Sequence, residues 1–423
     1  MQVLHLSESD SGGAGRATLR LHQGLQRLGV NSQLLVQLKY SEDYAVLSPQ
    51  TKLGKLNAKL KLSERIDILP LKLYPQRKAS DFSLQWVPER ILSNVAKLAP
   101  DIINLHWVGH GYVSIETVSK LQQPLVWTLH DMWAFTGGCH YSQGCLRYQN
   151  SCGICPQLDS NKNWDISRWI WQRKAKAWND LNLTIVTPSV WLAKCASMSS
   201  LFQNLRIEVI PNGLDTQQYK PISQHTARAI LNLPQDKQLI LFGAMYPGSD
   251  CRKGFHLLQN ALQHLRQCEW SDQIEVAIFG TSQPKEPIDL GLRAHYLGRL
   301  NDETSLAVVY AAADVFVAPS TEDNLPNTVM ESLACGTPCV AFKIGGMPDM
   351  IEHQQNGYLA QPFDSEELAQ GMIWVLENKE RQQKLCDYAR AKVEREFTQE
   401  IQARRYESLY EKIKSESAMH NKS

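Results

Sequence analysis

The chain has 423 residues, of which 21% are charged, and its formal net charge of +1 gives no reason to expect a nucleic-acid partner. No apolar run approaches the ~20 residues that a membrane-spanning helix needs, and the opening residues, MQVLHLSESD, do not resemble a secretory leader. We therefore expect a cytoplasmic protein of two or three globular domains, at the usual ~100–200 residues per domain.

The first half of the chain alternates between strand and helix patterns. Residues 16–28 carry leucines at helical spacing and are followed by Gly29, a residue that commonly ends helices. Alternating strands and helices predict a parallel sheet with helices on both faces. Strand patterns occur at 2–7, 33–38, 101–106, 125–130, 184–187 and 208–210.

The same alternation restarts after Pro211-Asn212-Gly213. Residues 214–235 are polar and contain two prolines, so they are predicted to be a linker. Strand patterns follow at 239–243, 275–280, 294–298, 314–319 and 338–342, with helix patterns at 254–265 and 327–335. From residue 397 the chain is charged and helical, with an apolar face that needs a surface to cover. That face carries Tyr406, Leu409, Tyr410 and Ile413.

These patterns predict an α/β protein with two doubly wound, Rossmann-like domains that face a central cleft. The first domain is expected at 1–210 and the second at 211–397. The C-terminal helix and tail, 398–423, are expected to pack back on the first domain. Open α/β sheets bind ligands at the carboxyl ends of their strands, so loops at those ends are the candidate sites.

A glycine-rich segment, Ser11-Gly12-Gly13-Ala14-Gly15-Arg16, joins the first strand to the first helix. Glycines allow a ligand to approach the backbone closely, and a helix N-terminus favours an anion. Contact of Gly13 and Gly15 with a phosphate or sugar is therefore the preferred interpretation. A tight strand–helix turn is the alternative.

Two further segments carry charge. Arg252-Lys253-Gly254 follows the first strand of the second half, and two cations there can neutralise a departing diphosphate. A solvated charged loop is the alternative. Asp323 and Glu331 lie in a strand–loop–helix segment, where carboxylates can accept hydrogen bonds from sugar hydroxyls. Capping of the helix by Asn327 is the alternative there.

The segment from Asp323 to Glu331, followed by Ser-Leu-Ala-Cys-Gly-Thr-Pro at 332–338, resembles the E-x7-E signature of the retaining GT-B glycosyltransferases of family 4. The glycine segment at 12–15, Pro211-Asn212-Gly213, Arg252-Lys253-Gly254 and Gly345-Gly346 resemble the family's other motifs, in the same order. The resemblance implies retaining transfer from a UDP-, GDP- or ADP-sugar to a glycan or lipid-linked acceptor, in polysaccharide biosynthesis. It implies no catalytic metal or other catalytic cofactor.

The resemblance also implies residue roles. Lys253, helped by Arg252, would bind the diphosphate, and Glu331 would bind the ribose. Asp323 and His130 would face the donor sugar. Glu322 precedes Asp323, and either can be the first carboxylate of the signature. The remaining donor-binding positions implied are Gly13, Gly15, Gly243, Gly280, Leu300, Asn324 and Leu325.

Two other functions fit the same fold. One is a nucleotide-sugar epimerase, which would turn over its substrate without an acceptor. The other is a catalytically inactive nucleotide-binding protein, which the presence of Lys253, Glu331 and the glycine segments disfavours.

A cysteine-rich insert is expected at 136–160. Four thiolates within seventeen residues can form a tetrahedral structural zinc site, which we favour over free thiols or two disulfides. The insert resembles that of a family 4 subgroup involved in making surface polysaccharide. The four residues are Cys139, Cys145, Cys152 and Cys155.

Two basic and apolar stretches suggest contact with a bilayer. Residues 52–61 place leucines and lysines at helical spacing, and Trp164, Trp171 and Trp178 recur every seven residues near several cations. Packing of these faces on the protein itself is the preferred interpretation. Peripheral contact with the inner face of the plasma membrane is the alternative.

Overall fold

Internal contacts divide the chain into two compact units. The computed structural model describes residues 1–49, 60–88, 91–243, 250–269, 271–283, 288–300 and 302–420. One unit comprises Met1–Gly213 together with Glu400–Ser423, and the other comprises Leu214–Gln399.

The first unit is built on a seven-stranded sheet in the order β3-β2-β1-β4-β5-β6-β7. Every neighbouring pair is parallel. Strands β4, β5 and β6 are buried along their whole length, as expected for inner strands of a parallel sheet that is covered on both faces. The strands are β1 (Gln2–Ser9), β2 (Asn31–Leu38), β3 (Val46–Leu47), β4 (Ile102–Leu105), β5 (Leu125–Thr128), β6 (Leu183–Thr187) and β7 (Arg206–Val209).

Helices connect these strands. Helix α1 ends as predicted, with Gly29 at a φ of 83° directly after its cap. The helices are α1 (Gly12–Arg27), α2 (Leu62–Asp67), α3 (Ile91–Leu98), α4 (Ile115–Val118), α5 (Ile166–Trp178) and α6 (Val190–Met198). Short 3-10 helices lie at Leu69–Leu73, Trp133–Phe135 and Arg147–Gln149.

The second unit repeats the architecture with a six-stranded parallel sheet in the order β10-β9-β8-β11-β12-β13. Its strands are β8 (Gln238–Gly243), β9 (Ile274–Phe279), β10 (Ala294–Tyr296), β11 (Val315–Ala318), β12 (Cys339–Phe342) and β13 (Gly357–Ala360). Its helices are α7 (Gln224–Leu231), α8 (Phe255–Leu265), α9 (Glu303–Ala312), α10 (Asn327–Ala334), α11 (Met347–Met350), α12 (Ser365–Leu376) and α13 (Lys379–Glu396). Two 3-10 helices lie at Cys251–Lys253 and Ser271–Gln273.

The last helix, α14 (Gln399–His420), covers one face of the first sheet. The four residues predicted to form its apolar face are all buried there. Tyr410 OH accepts a hydrogen bond from Asn104 Nδ2 at 2.7 Å, and Tyr406 OH lies 2.9 Å from Thr128 Oγ1. The hydroxyl of each tyrosine is therefore satisfied although its ring is buried.

The predicted linker at 214–235 is wrong, because it contains helix α7. Ser223 caps the helix N-terminus, and Ala227 and Arg228 on its inner face are buried. Arg228 forms an ion pair with Asp314 at 2.6 Å. Pro221 and Pro234 suggested a linker, yet they lie outside a helix short enough to fit between them.

The tryptophans at seven-residue spacing do not share one face. Trp164 precedes α5 and is 68% exposed, whereas Trp178 is 6% exposed and packs against Trp127 in the core. The other basic stretch, 52–61, falls almost entirely outside the described residues.

Candidate functional site

The sheet order of the second unit creates a switch point between β8 and β11. The chain leaves β8 towards β9 on one side, while β11 continues to β12 on the other. Loops after the two strands diverge at such a point and leave room for a ligand at the strand ends. Arg252 and Lys253 follow β8, and Asp323 follows β11.

These three residues form a charged cluster. Lys253 Nζ lies 2.7 Å and Arg252 Nη1 lies 3.6 Å from Asp323 Oδ2. Asn324 N donates to the other carboxylate oxygen at 3.1 Å. Burial by itself would raise the pKa of Asp323, but Lys253 and Arg252 lower it below the usual value. Asp323 is therefore ionised at neutral pH although it is only 6% exposed.

Arg252 also ties the two loops together. Its guanidinium donates to the Glu322 carbonyl oxygen and to Asp250 Oδ2, each at 3.0 Å. Its own carbonyl accepts from Thr321 N at 2.7 Å. The backbone around Arg252 therefore holds the loop after β11 while Lys253, whose side chain is 40% exposed, extends from it.

Two glycines allow this close approach. Gly254 has a φ of 69°, and a Cβ there would collide with the Pro319 carbonyl oxygen. Gly345 has a φ of 51°, and a Cβ there would collide with the Asp323 carbonyl oxygen. Gly346 N donates to that same oxygen at 3.1 Å. Both glycines are therefore required by the backbone that presents Asp323.

Glu331 lies on α10 and is 2% exposed. Tyr310 OH donates a hydrogen bond to Glu331 Oε2 at 3.0 Å. Burial, reinforced by Glu331, raises the pKa of Tyr310 well above its usual value, so the phenol keeps the proton that it donates. The sequence did not identify Tyr310, because it lies on a different helix, twenty-one residues earlier.

The other predicted donor-side residues lie at or just after the carboxyl ends of strands. Gly243 is the last residue of β8, and a Cβ there would collide with the Phe279 ring. Gly280 directly follows β9 and Leu300 follows β10. Asn324 and Leu325 are buried in the loop after β11.

In the first unit, Gly13 and Gly15 lie in the first turn of α1. A Cβ on Gly15 would lie 2.6 Å from the Ser9 carbonyl oxygen. Gly15 is therefore required for the close packing of α1 against the end of β1, which was the alternative interpretation of this segment.

His130 follows β5 and belongs to a line of histidines. Its Nε2 lies 3.1 Å from His106 Nδ1, and His106 Nε2 lies 2.9 Å from His5 Nδ1. Burial lowers the pKa of His130 to about 4 and the pKa values of His5 and His106 well below their usual range. All three rings are therefore neutral at physiological pH.

Asp131 organises a second network beside this line. Its Oδ2 accepts from Trp107 Nε1 at 2.6 Å and lies 2.7 Å from His140 Nδ1. His140 Nε2 lies 2.9 Å from Ser83 Oγ. A cavity of about 240 Å³ is lined by residues of both networks, including His106, His130, Asp131 and His140.

The four cysteines of the insert surround one cavity of about 350 Å³. Each is a free thiol. Burial raises the pKa of Cys152 to about 12, and it raises the pKa values of Cys139 and Cys155 as well. Within the described residues, no three side chains among His, Cys, Asp and Glu are arranged to hold a metal ion. Zinc binding therefore stays a prediction.

None of the helices within the described ranges combines the length and the apolar character of a membrane-spanning helix.

Comparisons with known proteins agree with this architecture. A family model described as Glycosyltransferase Family 4 matches residues 11–218, and one described as Glycosyl transferases group 1 matches residues 236–378. The sulfoquinovosyl transferase of Arabidopsis thaliana is 26% identical over 315 residues, which cover 72% of this chain and 56% of the plant protein. The chain spans about half the length of the first curated relatives that it matches.

Two solved structures show the same fold. Sucrose-phosphate synthase from Thermosynechococcus elongatus has a TM-score of 0.66 and 19% identity, with 98% of this chain and 99% of that chain covered. Alr3699/HepE from Anabaena, solved in complex with UDP, has a TM-score of 0.62 and 19% identity, with 97% and 100% covered.

Proposed function

We propose, on the premise that this chain is a glycosyltransferase of the GT-B fold built from a family 4 and a group 1 domain, that it transfers a sugar with retention from a nucleotide-sugar donor to a glycan or lipid-linked acceptor. Polysaccharide biosynthesis is the proposed setting. The observation that carries the proposal is the cluster of Lys253, Arg252 and Asp323 at the switch point of the second sheet.

The cations of this cluster suit a nucleoside diphosphate. Lys253 is anchored by Asp323 but remains partly exposed, so its ammonium can turn from the carboxylate to a diphosphate. Arg252 is held by backbone contacts on both loops and adds a second positive charge. We propose that these side chains and nearby backbone N–H groups stabilise the charge that develops on the departing diphosphate.

Glu331 is the proposed ribose ligand. A carboxylate can accept hydrogen bonds from two vicinal hydroxyls, and the Tyr310 hydroxyl fixes the orientation of this one. The family resemblance assigns the same role to Glu331.

The proposed chemistry takes place on one face of the sugar. The acceptor hydroxyl bonds to the anomeric carbon while the bond from that carbon to the diphosphate breaks with its electron pair. A diphosphate oxygen takes the hydroxyl proton. Asp323 and His130 are proposed to contact the transferred sugar, and the position of Asp323 against both cations favours it over Glu322 as the first carboxylate of the signature.

Binding and turnover together test this function. The Anabaena protein has been solved with UDP and with UDP-glucose, so UDP is the first nucleotide to test. We expect saturable calorimetric binding of one of UDP, GDP or ADP by the full chain, and nucleotide release from the matching donor that increases when an acceptor is added. Failure to bind any of the three would contradict the proposal. Sugar conversion without an acceptor would favour an epimerase.

We further propose peripheral contact with an anionic membrane surface, because an apolar and basic strip at 60–73 lies on the first unit. Ser63, Asp67 and Leu71, spaced four apart, are buried and fix the segment to the unit. The remaining positions include six exposed apolar residues and three exposed cations. They are Leu60, Leu62, Ile66, Ile68, Leu69 and Leu73, with Lys61, Arg65 and Lys72.

This combination of exposed apolar and basic side chains is better suited to contact with a bilayer surface than to exposure to water. Apolar side chains can enter the interface while cations attract acidic headgroups. Glu64, which lies 3.4 Å from Lys61, is the one acidic residue exposed enough to oppose them within 60–73. A lipid-linked acceptor would make such contact useful.

A further inference from the structure

Three histidines from distant parts of the chain form one continuous line in the first unit. His5 lies within β1, His106 follows β4 and His130 follows β5, and these strands are neighbours in the sheet. His5 Nδ1 lies 2.9 Å from His106 Nε2, and His106 Nδ1 lies 3.1 Å from His130 Nε2. Each contact therefore joins Nδ1 of one ring to Nε2 of the next.

Because these rings are buried, each ring nitrogen in a contact needs a matching donor or acceptor. His5 and His106 are almost completely inaccessible to solvent, at 0% and 3% exposure. The rings are neutral, because burial lowers the pKa of each. A neutral imidazole carries one proton, so one ring nitrogen donates and the other accepts.

The direction of the contacts couples the tautomers. If His5 carries its proton on Nδ1, His106 must accept at Nε2 and donate from Nδ1, and His130 must then accept at Nε2 and carry its own proton on Nδ1. If His130 instead donates from Nε2, all three rings carry the proton on Nε2. A mixed arrangement would set two lone pairs or two N–H groups against each other in a buried site, which is costly.

The end of the line at His5 is closed to solvent. His5 Nε2 is buried and has no hydrogen-bond partner among the residues that the structure describes. The neighbouring His22 packs edge-on against His5, with ring centroids 6.2 Å apart, and its Nδ1 lies 2.7 Å from Ser32 Oγ. Within the described residues, the tautomer of His5 is therefore tied by hydrogen bonding to the rest of the line through its Nδ1 contact with His106.

We propose that His5 and His106 are positioning residues that fix the tautomer of His130. The shared tautomer decides which ring nitrogen of His130 carries the proton, and this is the ring that we propose contacts the transferred sugar. This inference rests on the proposed function for the role of His130, but the shared tautomer itself is independent of that function.

Nitrogen NMR of the imidazoles tests the coupling without any substrate. The full chain is labelled with ¹⁵N in its histidine rings, and the three signals are assigned by single His→Gln variants. We expect His5, His106 and His130 to carry the proton on the same nitrogen, either Nδ1 in all three or Nε2 in all three. Different tautomers within the wild-type line would overturn the proposal, whether or not any variant folds.

His5→Gln is the sharper variant, because His5 does not touch His130 in the line of contacts. We expect the His130 tautomer to become mixed in His5→Gln and in His106→Gln, and to stay unchanged in the control His22→Gln. An unchanged His130 signal in both test variants would overturn the proposal.

Activity then separates this inference from the proposed function. We expect His106→Gln to lower kcat about tenfold, the equivalent of one well-placed hydrogen bond, with unchanged nucleoside diphosphate affinity. A changed tautomer with unchanged kcat would overturn the assigned role of His130 while leaving the sugar-transfer function standing. Failure of the wild-type chain to bind any nucleotide would instead contradict the proposed function.

Discussion

Lys253 Nζ lies 2.7 Å from Asp323 Oδ2, and the ion pair joins the loops that follow β8 and β11. The two residues are seventy positions apart in the chain. The carboxylate therefore holds in place the cation that we propose will receive the diphosphate.

This pairing predicts that substitutions of its two members affect nucleotide binding differently. Lys253→Ala should weaken nucleoside diphosphate binding, and lower kcat/KM on the order of 100-fold, because a charged hydrogen bond is lost. Asp323→Asn should abolish turnover but leave binding equal or tighter, because Lys253 no longer has a competing carboxylate. Calorimetry and nucleotide-release assays measure both effects. Equal weakening of binding by the two variants would contradict the proposed exchange of partners.

Glu331 can be tested through the ribose itself. Glu331→Gln should weaken binding of the preferred nucleoside diphosphate about tenfold, because an amide cannot accept from both hydroxyls. The same change should hardly affect the 2′,3′-dideoxy analogue, which lacks the groups that Glu331 would bind. Tyr310→Phe serves as the matched variant, with a smaller loss through poorer orientation of the carboxylate. Equal losses for the ribo and dideoxy ligands would argue against ribose contact.

Of the strands that the structure describes, all but β3 and β13 could be predicted from the sequence, because buried parallel strands are short, largely apolar runs bounded by turn residues. The family resemblance named Lys253 and Asp323 as separate donor-side residues, but it did not predict the ion pair between them. Its geometry depends on sheet order, which places β8 beside β11 although β9 and β10 come between them in the chain. No local pattern reveals that adjacency.

The line of histidines is a second feature that no local sequence pattern reveals. His5 and His106 are separated by 101 positions, and His106 and His130 by 24. Each looks like an isolated histidine, and only the neighbouring positions of β1, β4 and β5 bring them together. Helix α7 was missed for a different reason, since its flanking prolines are also what a linker would contain.

Membrane contact through the strip at 60–73 is tested by co-sedimentation with vesicles. We expect binding to vesicles that contain acidic lipid and little binding to purely zwitterionic ones, because the strip is both apolar and basic. Leu69→Ser with Leu73→Ser should reduce this binding strongly. Phe363→Ser is the control, since Phe363 is 54% exposed but lies on the second unit. Equal sedimentation with both lipid types would exclude an anionic surface as the partner.

Zinc binding by the insert predicts about one metal ion per chain. Metal analysis should find it in protein purified under reducing conditions without chelator, and Cys152→Ser should remove most of it. Cys195→Ser is the control, because Cys195 is buried in the same unit but does not line the cavity of the four cysteines. Within the described residues these thiols are not arranged to hold a metal ion, so binding would require the cysteine side chains to move. A metal-free, fully folded protein would show that these thiols serve packing only.

The buried histidines predict that acid destabilises the first unit. Burial, partly opposed by Asp43, lowers the pKa of His22 from 6.5 to about 4. Between these values the unfolded chain binds a proton that the folded chain does not, so stability falls as the pH drops below 6.5. For His22 alone the loss between pH 7 and pH 5 is about 2 kcal/mol.

Two carboxyl groups oppose this loss of stability at low pH. The test therefore compares the wild type with a variant that lacks a single histidine. Burial raises the pKa of Asp67 to about 6 and that of Glu8 to about 7, and each favours the folded state as the pH falls. Urea unfolding followed by tryptophan fluorescence reports on the first unit, which contains nine of the eleven tryptophans. Between pH 7 and pH 5, the free energy of unfolding should fall by about 2 kcal/mol less in His22→Gln than in the wild type. The control His225→Gln, which changes an exposed histidine, should behave like the wild type. Parallel pH profiles for wild type and His22→Gln would mean that His22 is protonated in the folded protein, and its buried position would then need another explanation.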